Sequence, residues 1–272
     1  MIETIRVGQA AGMDYGRDFV RVRAAADGAE TISWWTGDVY GWRRDDGPHH
    51  LFGFEGLNVA RAERDDSGGW RLLTREAAAY LDPVTREPLT TWDNPFTGEA
   101  VEVMHVFNDP VNQPLGDRPV PFTRVGDQVV HHVDVRLAYP SPLPVADFPG
   151  HSAGDTYRAM ELFQFFSRAA DLDTGAPDVP SHFSWCRVSP WLPWMAMGQR
   201  EGALVYHCRG GKVSEVPEWL AGFAGERFLR APETWSAPNM TSWTAFRDRA
   251  GDPGRAGDRS RAGDPRGSRA GG

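Results

Sequence analysis

The sequence predicts an all-β, mainly antiparallel fold: a single calycin- or lipocalin-like β-barrel with minor helices. Three observations predict it. Runs rich in β-branched and aromatic residues recur through residues 1–246. Short turn clusters separate them, among them RDDGP, RDDSGG, DPVTREP, DNPFTGE and RGG. No strand pattern alternates with helices or leads into a glycine-rich phosphate loop, which disfavours a nucleotide-binding α/β fold.

The strands follow in order. TISWWTGDVYGW, HHLFGFEGLNVARA, GWRLLTREAAAYLD and EAVEVMHVFND come first, then DQVVHHVDVRLAYP, the stretch around Ser181–Val188, and EGALVYHCRG. About eight to ten strands joined by short loops make an antiparallel meander. EVPEWLAGFAGERFL places Val216, Leu220, Phe223 and Phe228 near helical spacing, with Pro217 suited to a first turn. DTYRAMELFQFFSRAADL is long enough for a helix, but its aromatic content favours a strand. A helix over 156–171 would give the runner-up fold, an α+β cone-shaped barrel. A closed or nearly closed barrel of this size encloses a ligand rather than filling with side chains.

Charge and composition narrow the function. Net charge is -8, and residues 247–272 hold seven Arg and four Asp, which leaves the body near -11. Such a body repels nucleic acid and anionic lipid, so neither is expected as a partner. The tail repeats RAGD from 249, 255 and 261 and has no apolar residue larger than Ala. It is expected to be disordered, with 1–246 forming the one domain. No run of eighteen apolar residues and no basic start followed by an apolar stretch occurs, so a cytoplasmic protein is expected. Cys186 and Cys208 lack CxxC spacing and read as free, buried thiols. Lys212, the only lysine, sits in a glycine-rich turn and reads as exposed.

Several strings read together resemble a known family. They are LFGFEGLNVAR at 51–61, LLTREAAAYLDPVT at 72–85, TTWDNPFTGEAVEVMHVFNDPVN at 90–112, MELFQFF at 160–166 and PWLPWMAMGQREGALVYHCRGGK at 190–212. Over about residues 1–230 the chain is similar to the bacterial and fungal family called domain of unknown function 1838. The resemblance implies no catalytic residue and no cofactor, so function has to be argued from the residues.

Strand alternation sorts the side chains by face. One face of EAVEVMHVF carries Val101, Val103, His105 and Phe107. One face of QVVHHVDVRL carries Val129, His131, Val133, Val135 and Leu137. In TYRAMELFQFF it carries Tyr157, Ala159, Glu161, Phe163 and Phe165, and in GALVYHC it carries Ala203, Val205 and His207. Four apolar faces thus hold one ionisable residue each: His105, His131, Glu161 and His207. A lone histidine so placed is more often a core residue than a catalyst. Four converging on one lumen point to a site, because burying ionisable groups without a partner is costly. His132, Asp134 and Arg136 form the expected solvent face, and exchanging the two faces would exchange the members of the site.

A carboxylate beside imidazole in a dry pocket can remove and return a proton. The leading expectation is therefore a cofactor-free enzyme of lyase, isomerase or cyclase type acting on a hydrophobic or aromatic molecule. His105 or His131 would be the base and Glu161 its acid or orienting partner. Asp109, near His105, could orient it, although turn capping also explains Asn108, Asp109 and Asn112. Trp34, Tyr157, Phe163, Trp191 and Trp194 would line the pocket, and Arg187 would meet a carboxylate or oxyanion. The rival from another class is a carrier of the same kind of molecule. A metal held by His105, His131, Glu161 and His207 is a further alternative, disfavoured because tight HxH or HExxH spacing is absent. Beyond a small molecule, the only partner admitted is a second copy of the chain.

Overall fold

The computed structural model describes residues 14–108, 111–225, 230–235 and 240–250. A short helix α1 (Phe19–Arg23) leads into three long strands, β1 (Thr31–Arg43), β2 (Gly47–Arg64) and β3 (Trp70–Leu81). Short pieces follow: β4 (Thr91–Asp93), β5 (Ala100–Glu102), β6 (Val106–Asn108), β7 (Gln113–Gly116) and β8 (Phe122–Val125). Then come β9 (Gln128–Pro140), β10 (Thr156–Arg168), α2 (Ala169–Asp173), β11 (His182–Ser189), β12 (Ala203–Val213), α3 (Glu218–Ala224) and α4 (Ser242–Ala250). Among the described residues no helix is long and apolar enough to cross a membrane.

Ten strands form one antiparallel sheet in the order β6-β3-β2-β1-β12-β11-β10-β9-β8, with β7 beside β3; β4 and β5 make a separate hairpin. The expected meander is present as two meanders, β1–β3 and β9–β12, joined where β12 pairs with β1. The expected ring of strands is not closed by hydrogen bonds, since β6 and β8 end the path. The sheet is nevertheless curled, since one short helix packs both on Val129 of β9 and Phe165 of β10 and on Ala60 of β2 and Leu72 of β3. On the concave face the hydroxyls of Tyr80 of β3 and Tyr206 of β12 lie 3.2 Å apart.

Residues 156–168 are a strand, as the aromatic content of that segment favours, and the helical alternative for 156–171 is not adopted. Tyr157, Phe163 and Phe165 of β10 face the concave side, and Phe166 lies on the other face. α3 forms over a shorter span than the sequence suggests, directly after Pro217. The expected strand EAVEVMHVF breaks at 103–105 into β5 and β6. α4 runs four residues past the expected boundary at 246, buries Trp243, and pairs Arg249 with Glu102; residues 251–272 lie outside the described residues.

The seam that the ladder leaves open is bridged by the N-terminal segment. Tyr15, Phe19 and Val22 pack on Val129 and Phe165, while Val20 and Ala24 pack on Ala60, Ala62 and Leu72. One short helix therefore touches both limbs of the curled sheet. Five residues would not hold a helix in isolation. Lys212 holds it in place: its ammonium donates to the carbonyls of Arg21 and Ala24, 2.7 Å each, and pairs with Asp178. Lys212 is thus a largely covered cap on α1, not the exposed turn lysine its glycine-rich setting suggests. At the other end, Trp191, Trp194 and Met195 cover Phe52, Phe54 and Tyr80.

Candidate functional site

The ladders decide which side chains share the concave face. Arg187 of β11 pairs with Glu161 of β10 and Tyr206 of β12, and Glu161 pairs in turn with Val135 of β9. The faces read by alternation for β9 and β10 are therefore correct: His131, Val133 and Val135 and Tyr157, Glu161, Phe163 and Phe165 share the inner face. Asp134 and Arg136 on the outer face are exposed.

Arg187 is the centre of the site. Its Nη1 is 2.9 Å from Glu161 Oε1, and its Nη2 donates to the Tyr157 hydroxyl. Its guanidinium also lies over the Tyr206 ring, 5.8 Å from the centroid. Burial alone would make it easier to deprotonate, but Tyr157 and Glu161 more than offset that, so it is held firmly charged. The side chains of Arg187 and Glu161 keep 26% and 17% of their exposure, so a small molecule has surface to reach. Aromatic rings frame the pair: Phe163 stacks on Trp185 at 5.9 Å, and Trp185 also meets Trp35, Phe54 and Tyr206. The indole N–H groups of Trp35 and Trp185 and Arg187 Nε have no hydrogen-bond partner among the described residues.

Sequence reasoning missed the second half of this site. Asn58 of β2 and Glu76 of β3 face inward beside it, and Arg23 reaches in from α1. Burial, then the nearby charge of Glu161, pushes the Glu76 carboxyl above its usual range, against the pull of Arg23 and Arg187. Burial pushes Tyr80 up to about 12 and Tyr206 well above its usual value, so both remain O–H donors at neutral pH. Asn58 is the lone polar residue of the string LNVA, whereas Glu76 follows Thr74 and Arg75 at the head of TREAAAY.

Other expected members stand elsewhere. His207 is on the outer face of β12 and exposed, because the inward residues there are Leu204, Tyr206 and Cys208. His105 sits in the break between β5 and β6, accepts a hydrogen bond from the Tyr80 amide at its Nδ1, and packs on Phe223 of α3. His131 is inward but fully buried at the α1 end, its Nε2 bonded to the Tyr15 carbonyl at 2.7 Å. Its cross-strand partner Phe165 is four residues from Glu161, about 13 Å along the strand, so the two cannot share a proton directly. Trp34 faces outward beneath α3 and donates to Glu55, leaving Trp35 as the inward indole. Trp191 is a core residue that donates to the Arg200 carbonyl. Trp194 caps the lumen beside Tyr80. Asp109 lies outside the described residues. Among the described residues, no three His, Cys, Asp or Glu side chains come together as a metal-ligand set, so the four-ligand alternative does not hold. Both cysteines are free, and burial pushes the Cys208 thiol up to about 12.

His131 has a consequence for acid stability. Burial lowers its folded-state pKa below the unfolded value. The unfolded chain therefore binds the proton first as pH falls below about 6.5, and stability is lost over that range. His105, also lowered by burial, adds to the effect. Denaturant midpoints measured from about pH 7 down to about pH 5 are expected to fall. His131→Asn should flatten the decline, and an unchanged decline in that variant would remove His131 as its source.

A curled antiparallel sheet with charged groups on an aromatic concave face defines the class: a mainly antiparallel β protein with charged groups inside the curl of its large sheet. Residues 28–250 match the family described as proteins of unknown function, DUF1838, a span that takes in every strand and starts after α1. The chain belongs to that family. No curated protein matches it by sequence.

Proposed function

We propose that the protein is an enzyme acting on a hydrophobic or aromatic small molecule held against the concave face, by acid–base chemistry of lyase, isomerase or cyclase type. The observation that carries this is the Arg187–Glu161–Tyr157 cluster among aromatic rings. A carrier of a neutral apolar molecule needs only an apolar lining, and burying ions in one is costly. Glu161 is the proton acceptor or orienting carboxylate. Tyr157 accepts from Arg187, which leaves its own proton free for donation to substrate. In this reading the curled sheet, α1 and the cap at 190–197 together do what a closed calycin-like barrel does: they exclude water around a ligand.

Native mass spectrometry of freshly purified wild type, Glu161→Gln and Tyr157→Phe tests it. A lyase or cyclase that loses or adds water should retain a different organic mass in the inactive variants than in wild type. An isomerase should retain the same mass with a different chromatographic retention. The identical molecule in all three proteins is the result expected of a carrier and overturns the enzyme reading. With the retained substrate in hand, Glu161→Gln should lower the rate by about 10²–10⁴.

A further inference from the structure

We propose that the substrate of this site is anionic: a hydrophobic or aromatic body bearing a carboxylate, which sits between Arg23 and Arg187 with Glu76 as the site's second carboxyl group. This rests on the reading above, since it names the substrate class of the same site.

Four charged side chains from four elements lie within electrostatic reach of one another inside the curl. On a flat sheet β3 and β10 would be five strand steps apart, about 24 Å. Curling sets Glu76 of β3 where it feels Glu161 of β10 and Arg187 of β11. Asn58 Nδ2 donates to Glu76 Oε1 at 3.1 Å, and Arg23 Nη2 donates to Asn58 Oδ1 at 2.9 Å. Arg23 is thus tied to Glu76 through an amide, whereas Arg187 and Glu161 form a direct pair. One donor on each guanidinium is left over: Arg23 Nη1 and Arg187 Nε are buried and lack a hydrogen-bond partner among the described residues.

The charge count then favours an anion. Two guanidiniums stand against two carboxyl groups, but burial and the Glu161 charge push the Glu76 carboxyl towards its neutral form. Whenever Glu76 takes up a proton, the cluster carries one net positive charge. A ligand carboxylate removes that imbalance and offers acceptors to the Arg23 and Arg187 side chains after small side-chain adjustments. The groups facing Glu76 are Arg23 from α1, Asn58 from β2, Glu161 from β10 and Arg187 from β11. An added anion strengthens the repulsion on Glu76, so anion binding takes up a proton. Affinity therefore rises as pH falls through the Glu76 range.

Tryptophan fluorescence titration of the full chain with 2-naphthoate and with the neutral isostere 2-naphthamide tests this, from about pH 5.5 to about pH 8.5. The expected result is that naphthoate binds about tenfold or more tightly than the amide, and more tightly at the acid end. Arg23→Gln should weaken naphthoate far more than the amide and so remove most of that preference. Glu76→Gln should hold naphthoate at its low-pH affinity across the range. Equal binding of the two probes, or a preference unchanged in folded Arg23→Gln, overturns the anionic class while leaving a hydrophobic site intact. If Arg23→Gln does not fold, an unaltered pH profile in Glu76→Gln overturns it alone. Binding of neither probe to wild type would count against the small-molecule site as well.

Discussion

Arg187→Met is expected to lower stability by about 3 kcal/mol, the lower end of the range for breaking a buried ion pair. The lower end applies because Arg187 and Glu161 keep 26% and 17% of their side-chain exposure, so water screens part of the interaction. In a chain of this size that is a fall in Tm of roughly 6–12 °C. Methionine fills similar volume, so the loss is one of charge and hydrogen bonding more than of packing. Removing the guanidinium leaves Glu161 without its partner and the Tyr157 hydroxyl without its donor. It also leaves Glu161 and Glu76 repelling each other with only Arg23 near Glu76. Carboxylates so stranded bind protons more readily in the folded protein than in the unfolded chain. The deficit should therefore be full at neutral pH and shrink as pH falls towards about 5. Urea unfolding at the two pH values measures it. A loss below about 1 kcal/mol with no pH dependence, as for a surface pair, would show that Arg187 does not hold the site together.

Where alternation contrasts polar with apolar, sequence alone fixes the face. On β9, Asp134 and Arg136 alternate with Val133, Val135 and Leu137, and on β10 Glu161 falls in line with Tyr157, Phe163 and Phe165. Those faces were legible, and with them Glu161, Tyr157, Phe163 and Arg187. On β12 both faces are apolar in sequence: Leu204, Tyr206 and Cys208 point inward, Ala203 and Val205 outward. Parity therefore could not choose, and His207 was drawn to the wrong side. On β1 the outer face is itself covered by α3, which makes Trp34 as apolar in setting as Trp35. His105 differs for another reason: alternation holds only along a continuous strand, and the chain breaks between β5 and β6. α1 was invisible because five residues carry too little periodicity, and with it went Arg23 and the burial of Lys212. Glu76 and Asn58 were hidden because polar residues in strands usually mark a solvent face, and only the curl of the sheet turns theirs inward.

The close approach that makes the curl is built on glycine, and Gly210→Ala should show it at a cost of about 3 kcal/mol, the top of the usual overpacking range. Gly210 pairs with Trp35 of β1 on one side and Phe183 of β11 on the other. A Cβ at this position would lie 2.1 Å from the Trp34 carbonyl oxygen, 2.7 Å from Phe183 Cζ and 2.9 Å from Trp35 Cβ. The nearest of these is backbone, locked by ladders to β2 and β12, so no rotamer change relieves it. The two central strands would have to part, and with them the Trp35 and Trp185 rings beside Arg187. Gly222 of α3 supplies the internal control, because a Cβ there meets nothing within 4 Å. Gly222→Ala should stabilise by about 0.5–1 kcal/mol through helix propensity alone. Thermal melts of the two variants should therefore move in opposite directions. Should Gly210→Ala melt within about 2 °C of wild type, less than 1 kcal/mol for a chain of this size, β1 and β12 do not approach this closely. The curl that carries Glu76 towards Glu161 would then need another cause.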